Sequence, residues 1–274
     1  MTKPSETSLP EQPVLDGLAT AACNICGARG RFSGPADHLE GLTVPENYNY
    51  REDLQCAAYG SISRDRAVMY VLSRLMKETA PLEEWPTRGD MRLPETSGYR
   101  RHPPRLGRLF DYFNTQFLPP TDLPEVIDGR TTANLEDRPY PDAFFDIVLC
   151  AEVLELVSRI ELAVPELYRV LDPNGFAVIT VPYVHGWRGT STRVQRWHDR
   201  DVHLYPAEYH EEETLVYRIY GRDFLTQLRD AGFGVAFATV TDPTAAISET
   251  DVIIASKAPF VDITGFLPHQ GAGA

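Results

Sequence analysis

One stretch of the chain, residues 140–183, constrains the fold more than any other. An apolar run from Phe145 to Cys150 predicts a buried strand, and a second run from Phe176 to Val181 follows a Pro-Asn-Gly turn. Between the two runs apolar side chains recur at helical spacing, at Val153, Leu154, Val157, Ile160, Leu167, Val170 and Leu171. Short apolar strands joined through a helix are typical of a parallel sheet covered on both faces. The stretch therefore predicts an α/β protein.

Residues in and around these strands, both polar and apolar, form a pattern. They include Pro141, Asp142, Phe145, Asp146, Val148, Leu154, Glu155, Arg169, Val170, Leu171, Pro173 and Gly175. The pattern resembles the second half of class I S-adenosylmethionine (SAM)-dependent methyltransferases. The resemblance implies a Rossmann-like class I methyltransferase sheet with helices on both faces, methyl-transfer activity and SAM as the cofactor.

Charge and hydropathy restrict the partners. The formal net charge is −13 and the isoelectric point is near 5.0, so neither a nucleic acid nor an anionic membrane surface is expected to bind. No apolar run reaches the roughly 20 residues that a membrane-spanning helix needs. The polar, proline-rich start does not resemble a signal peptide. We expect a cytoplasmic protein that acts on a small molecule, and a homodimer is left open.

Composition divides the chain into segments. Residues 1–13 are expected to be a disordered lead-in, 14–80 a Cys-containing module with a helix over Ser61 to Thr79, and 261–274 a tail. The α/β domain is expected over 81–260, with a polar insert at 184–213. Within it we predict a first strand and its loop over 91–98, a helix over 106–113, an irregular region over 116–130, a helix over 221–231 and terminal strands over 234–240 and 252–256.

The N-terminal cysteines suggest a metal site. Cys23-Asn-Ile-Cys26-Gly has the spacing of a zinc knuckle, in which the glycine permits the bend that turns both sulfurs to one ion. Residues Arg51, Glu52, Cys56, Gly60, Ser61, Arg64 and Arg66 are similar to methyltransferase-like proteins with an N-terminal zinc knuckle, although Tyr59 occupies the place of a second cysteine. One interpretation is that zinc is bound by Cys23, Cys26, Cys56 and His38. A metal-free module, in which Cys56 is a small buried hydrophobe, is the other.

The SAM-binding loop departs from the usual glycine-rich form. The chain has no Gly-x-Gly-x-Gly; its nearest equivalent is Glu95-Thr-Ser97-Gly98, in which Glu95 would accept from the SAM amino group and Gly98 would allow close approach. No acidic residue that would bind the ribose hydroxyls is identified, although Asp122 and Asp128 lie in the part of the sequence where one is expected. The remaining predicted cofactor residues are Asn134 and Leu135 beside the adenine, and Cys150 and Glu152 after the next strand.

The insert is rich in groups that carry chemistry. These are His185, Trp187, Arg188, Arg193, Trp197, His198, Asp199, His203, Tyr209 and His210. Histidine titrates near neutral pH, so His203 or His210, with Tyr209, is the predicted catalytic group that removes a substrate proton. The alternative is that these histidines cap turns or bridge to carboxylates.

Three functions fit these features. The first is a methyltransferase for an oxygen or nitrogen of a natural product or sugar. The second is an enzyme of the same fold that catalyses another reaction, in which a three-cysteine zinc with an open position polarises the substrate. The third is a non-catalytic protein that has kept only the fold, because one fold supports many functions.

Overall fold

The computed structural model of the 274-residue chain describes residues 18–33, 49–96, 103–116, 126–127, 130–132, 134–198, 200–210 and 214–258. The strands are β1 (Phe32–Ser33), β2 (Gln55–Cys56), β3 (Arg88–Glu95), β4 (Phe110–Gln116), β5 (Val126–Ile127), β6 (Arg130–Thr132), β7 (Phe145–Ala151), β8 (Leu171–Thr180), β9 (Ser191–Thr192), β10 (Val194–Trp197), β11 (Arg200–His203), β12 (Tyr209–His210), β13 (Thr214–Leu215), β14 (Arg218–Ile219), β15 (Gly234–Asp242) and β16 (Ile247–Ser256). The α-helices are α1 (Tyr50–Asp53), α2 (Ser63–Leu75), α3 (Pro103–Leu109), α4 (Ile160–Val170) and α5 (Asp223–Asp230). Short 3-10 helices span Leu82–Glu84, Leu154–Leu156 and Pro243–Ala245.

Eight strands form one mixed sheet in the order β15-β16-β8-β7-β3-β4-β6-β5. The pairs β3–β4, β3–β7, β7–β8 and β4–β6 are parallel, whereas β16 runs antiparallel to both β8 and β15. From β3 the chain builds outward through β4 and β6, and then returns to the other side of β3 to form β7 and β8. The order therefore reverses between β3 and β7, where Glu95 is aligned with Leu149. The predicted Rossmann-like sheet with helices on both faces is confirmed.

Apolar cores cover both faces of this sheet. Successive residues of a strand point to opposite faces, so Ile147 and Leu149 enter one core while Val148 and Cys150 enter the other. The first core is completed by α2 and the cysteine segment, and the second by α4 and α5. The predicted apolar strand is fully buried because both of its faces are covered.

A buried arginine ties the N-terminal segment to the far hairpin of the sheet. Arg66 on α2 has 0% of its surface exposed. Its guanidinium donates to the carbonyl oxygens of Leu54 (3.0 Å) and Ser61 (2.5 Å) on one side, and of Ala245 (3.0 Å) and Ala246 (2.6 Å) on the other. The cysteine segment thus shares a core with the sheet, and the proposed division at residue 80 stays a prediction.

Several predicted elements have different bounds. The predicted helix over 106–113 is wrong beyond Leu109, because Phe110–Gln116 pairs in parallel with β3 and forms the second strand of the sheet. The helical spacing found between Val153 and Leu171 belongs to a 3-10 turn at Leu154–Leu156, then α4, and Leu171 already lies in β8. The helices expected from residues 61 and 221 are shorter, and the two terminal strands are longer.

The polar insert folds into short hairpins. Strands β10 and β11 pair antiparallel with each other. Strand β9 pairs with β14, and β12 with β13, both beyond the insert. Arg218 in β14 anchors this layer, since its buried guanidinium donates to the carbonyl oxygens of Leu154, Val157 and Ser158. The insert is therefore attached to the segment that follows β7.

Candidate active site at the carboxyl edge of the sheet

The ends of three neighbouring strands meet at the point where strand order reverses. Strand β3 ends at Glu95, β7 at Ala151 and β8 at Thr180. Backbone bonds join them beyond the strands, from the Thr96 amide to the Leu149 carbonyl (3.0 Å) and from the Glu152 amide to the Thr180 carbonyl (2.9 Å). Open α/β sheets bind their ligands in this crevice, outside the carboxyl ends of the strands.

Glu95 is held in place at this edge. Its side chain is 7% exposed and accepts a hydrogen bond from the hydroxyl of Tyr112 on β4 (2.6 Å). Burial raises the pKa of Tyr112, and the Glu95 carboxylate raises it further, so the hydroxyl remains a donor. Ser97 and Gly98, which the sequence places in the same loop, lie outside the described residues, as do Asp122 and Asp128.

The second strand ends in amides rather than in an acid. The carboxyl end of β4 carries Asn114 and Gln116. The side-chain oxygen of Asn114 is buried, and it has no hydrogen-bond partner among the residues that the structure describes. Sequence reasoning missed both residues because the segment was assigned to a helix. The alternating aromatic side chains of Phe110-Asp-Tyr112-Phe were the signal for a strand.

Asn134 and Leu135 form a tight turn. The Asn134 side-chain oxygen accepts from the Glu136 amide (2.9 Å), and Asn134 is bridged to Asp137. Leu135 is buried in the same core as Cys150. Burial raises the pKa of Cys150 to about 11 against an opposing hydrogen bond from Thr96, so its thiol stays protonated at neutral pH.

Two carboxyl groups follow β7 in different environments. Glu152 has a left-handed backbone (φ 51°) and accepts from Arg51 of α1 at 2.5 Å. Glu155 is 2% exposed, and its Oε2 has no hydrogen-bond partner within the described part of the chain. Burial, followed by repulsion from Glu152, raises the pKa of Glu155 to about 8. Glu152 is thus paired with a cation, whereas its neighbour Glu155 has a raised pKa.

The predicted catalytic residues of the insert lie on exposed hairpins. His203 ends β11 opposite Val194, while Tyr209 and His210 form β12. All three are exposed, Tyr209 by 54%. No hydrogen bond joins them to Glu95, Glu152 or one another among the described residues.

A cavity of about 510 Å³ lies beneath the insert. It opens between the starts of α4 and α5, and its polar lining includes Ser158, Arg196, Arg218 and Gln227. Arg196 is fixed there by Asp201 (2.9 Å) and by the hydroxyl of Tyr217 (3.0 Å). This volume is in the range of small-molecule sites.

The three predicted cysteine ligands come together. The sulfurs of Cys23, Cys26 and Cys56 lie within 4.8 Å of one another, and those of Cys26 and Cys56 are 3.8 Å apart. Tetrahedral zinc with Zn–S bonds of about 2.3 Å requires sulfurs roughly 3.8 Å apart, so the donor set fits three of four positions. His38 lies outside the described residues. Tyr59 packs against the guanidinium of Arg105 (4.0 Å) instead of facing the sulfurs as a cysteine would.

Burial and hydrogen bonds shift the pKa values of two of these thiols in opposite directions. Burial raises the pKa of Cys26 to about 12, and the neighbouring sulfurs add to the effect. Burial also opposes ionisation of Cys23, but the Ser61 hydroxyl and the backbone amides of Cys26 and Ile25 outweigh it, and its pKa is lowered. Cys23 is thus the more easily ionised of the two thiols.

One family model matches part of the chain. Residues 124–179 match the model of the family described as "Methyltransferase domain". The matched segment contains β7, α4 and nearly all of β8. It includes the residues whose sequence pattern resembles class I SAM-dependent methyltransferases. No curated protein matches the chain.

Solved structures with similar folds are distant in sequence. The 1,6-didemethyltoxoflavin-N1-methyltransferase of Burkholderia thailandensis is 14% identical, with a TM-score of 0.43, and the match covers 69% of this chain and 76% of that one. The CurJ carbon methyltransferase is 17% identical, with a TM-score of 0.44, over 72% of this chain and 56% of that one. The cyclase SpnF is 18% identical, with a TM-score of 0.41, over 69% and 64%. Within the described residues, the helices are all too short or too polar to cross a membrane.

Proposed function

We propose that this protein is a SAM-dependent methyltransferase that acts on an oxygen or nitrogen of a small molecule, such as a natural product or sugar. The observation that carries the proposal is that the methyltransferase-domain segment supplies β7 and β8 beside the strand reversal, with Glu95 and Glu152 at its edge. SAM supplies an electrophilic methyl group, and the chain has to bind it, orient it and exclude water.

The cofactor residues follow the order of the strand ends. Glu95, with Ser97 and Gly98, is proposed to bind the methionine end of SAM. Asn114, near the end of β4, is proposed to replace the acid that usually takes the ribose hydroxyls. The unpartnered Asn114 oxygen fits a hydroxyl donor.

The remaining cofactor contacts come from two other segments. Asn134 and Leu135 are proposed to lie beside the adenine, and Cys150 and Glu152 close the pocket after β7.

The insert is the proposed substrate side. His203, His210 and Tyr209 project from hairpins that are anchored by Arg218 to the segment after β7. The net charge of −13 favours neutral or cationic small molecules over polyanions.

Zinc is proposed as a structural ion. Cys23, Cys26 and Cys56 would hold it, with His38 as the fourth ligand, and it would stabilise the N-terminal segment without touching the substrate.

Calorimetric titration with SAM and S-adenosylhomocysteine tests the proposal. We expect micromolar binding of both ligands. Glu95→Gln should weaken SAM about 10-fold or more, because a charge-assisted hydrogen bond is lost, whereas the exposed Glu249→Gln should not. A second assay then measures the transfer of labelled methyl groups from SAM to candidate hydroxyl and amine substrates. No binding of either ligand would overturn the proposal in favour of another reaction on this fold, for which the missing glycine-rich loop is the motivating feature.

A further inference from the structure

Glu155 lies on a rigid turn at the carboxyl edge. Its carbonyl oxygen accepts from the Tyr217 amide (2.8 Å). The preceding carbonyl, of Leu154, accepts from both the Tyr220 hydroxyl (2.9 Å) and Arg218 (3.1 Å). The backbone of this turn is thus fixed from the insert side. The carboxyl group has a defined position although its Oε2 is not hydrogen-bonded.

A second unpartnered group lies at the same edge. Thr180, the last residue of β8, is 0% exposed, and within the described residues its Oγ1 has no hydrogen-bond partner. Leaving a buried polar atom unpaired costs about 1–3 kcal/mol, and such atoms are rare in native proteins. Two of them beside the strand ends indicate a place where a ligand supplies the missing partners.

The charged side chains around Glu155 act on its pKa in opposite directions. Glu152 repels a second negative charge, while Arg51 and Arg64 act in the opposite direction more weakly. Arg51 donates directly to Glu152, and Arg64 is bonded to Glu52 at 2.9 Å through two nitrogens. Neither cation is hydrogen-bonded to Glu155 itself. The other titratable groups that face it, Cys150 and Tyr220, are neutral at pH 7, since burial raises the pKa of both.

We propose that Glu155 is the general base of methyl transfer: it holds a proton in the free protein, releases it when the SAM cation binds, and then accepts the proton of a neutral hydroxyl or N–H nucleophile. This inference rests on the proposed function. In the reaction the substrate O–H or N–H bond breaks and its proton passes to the Glu155 carboxylate. The oxygen or nitrogen forms a bond to the methyl carbon, and the electron pair of the broken C–S bond returns to sulfur. S-adenosylhomocysteine and protonated Glu155 result.

The cofactor pair offers a test without a known substrate. SAM carries a sulfonium charge that S-adenosylhomocysteine lacks. A group with a pKa of about 8 is roughly nine-tenths protonated at pH 7, and a nearby cation lowers such a pKa by about 1–3 units. We expect SAM to release about 0.4–0.9 proton more than S-adenosylhomocysteine, measured by calorimetry at pH 7 in buffers of different ionisation enthalpy.

Two variants test whether Glu155 is the group that releases the proton when SAM binds. Glu155→Gln should abolish the difference between the two ligands, whereas the exposed Glu84→Gln should retain it. Equal release from both ligands in the unmodified protein, or an unchanged difference in Glu155→Gln, would overturn the role of Glu155 while leaving the methyltransferase intact. Failure of SAM to bind at all would overturn both. With a substrate in hand, Glu155→Gln should lower kcat by about 10²–10⁴ and remove the rise of kcat/KM for SAM towards pH 8, since kcat/KM reports the pKa of the free protein.

Discussion

Arg51 of the N-terminal segment donates a 2.5 Å hydrogen bond to Glu152, the first residue after the central strand β7. Both side chains are mostly buried, with 22% and 12% of their surfaces exposed. The segment that holds the cysteines thus contacts the edge where the cofactor is proposed to bind. Arg51 is thus bonded to the carboxyl group that repels a negative charge on Glu155.

The Arg51–Glu152 pair should contribute measurably to stability. Arg51→Met leaves a desolvated carboxylate without its cation, so we expect a loss of about 1–3 kcal/mol in the free energy of unfolding. A double-mutant cycle with Glu152→Gln, followed by urea denaturation, measures the coupling. The matched cycle is Arg92 with Asp111, an exposed pair 3.9 Å apart that should couple by less than about 0.5 kcal/mol. Equal coupling in the two cycles would contradict the prediction.

Glu155 should make the protein less stable as pH rises. Its pKa is raised from 4.5 to about 8 on folding, so its favourable contribution is complete below about pH 4.5 and is lost as the pH increases through about 8. Glu155→Gln cannot ionise, and its melting temperature should fall less between pH 5 and pH 8.5. Thermal scans across this range, with Glu249→Gln as control, check the sign. A parallel pH dependence in all three proteins would refute it.

Arg66 should be among the least replaceable side chains. Arg66→Leu removes the guanidinium donor from the carbonyl oxygens of Leu54, Ala245 and Ala246 in a buried site, and leaves the Ser61 carbonyl with the Cys56 amide. We expect a loss of about 3 kcal/mol or more, or failure to fold. Arg74→Leu, on the exposed side of the same helix, should change stability by less than about 0.5 kcal/mol. Chemical denaturation compares them, and a mild effect of Arg66→Leu would argue against the clamp.

Purified protein should contain about one zinc per chain. Cys26→Ser and Cys56→Ser should lose the metal and lower the melting temperature, because the ion binds the folded segment alone. Cys150→Ala, outside the cluster, should keep it. Elemental analysis measures the content, and His38→Ala tests the fourth ligand. Full-length protein without metal, and insensitive to a chelator, would favour the metal-free alternative.

Apolar runs, turn residues and cysteine spacing along the chain correctly predicted several parts of the fold. The apolar run Phe145–Cys150 and the turn before Phe176 give strands wherever helices cover both faces. The cysteine spacing likewise anticipated a cluster of three sulfurs. The second strand was missed because Phe110–Gln116 has aromatic residues compatible with either period. Parallel pairing with β3 decided its conformation.

The residues of the candidate site were harder to predict from the sequence than the strands, because they depend more on the tertiary structure. Histidines in a polar insert are conspicuous in sequence, yet His203 and His210 lie on exposed hairpins. Glu155, by contrast, belongs to the Leu-Glu pattern of the sequence, and only the folded structure shows that it is buried beside Glu152. No periodicity reveals that one of its oxygens lacks a partner.

The sequence by itself determined the α/β class, the resemblance to methyltransferases, the cysteine cluster and the acidic character, because each follows from spacing and composition along the chain. Only the tertiary structure decided which strand lies second and which residues meet at the carboxyl edge. It also decided that burial, followed by repulsion from Glu152, raises the pKa of Glu155. Those outcomes depend on burial and on charges brought from distant segments, as Arg51 is brought to Glu152, and burial is a property of the packed chain rather than of any local sequence.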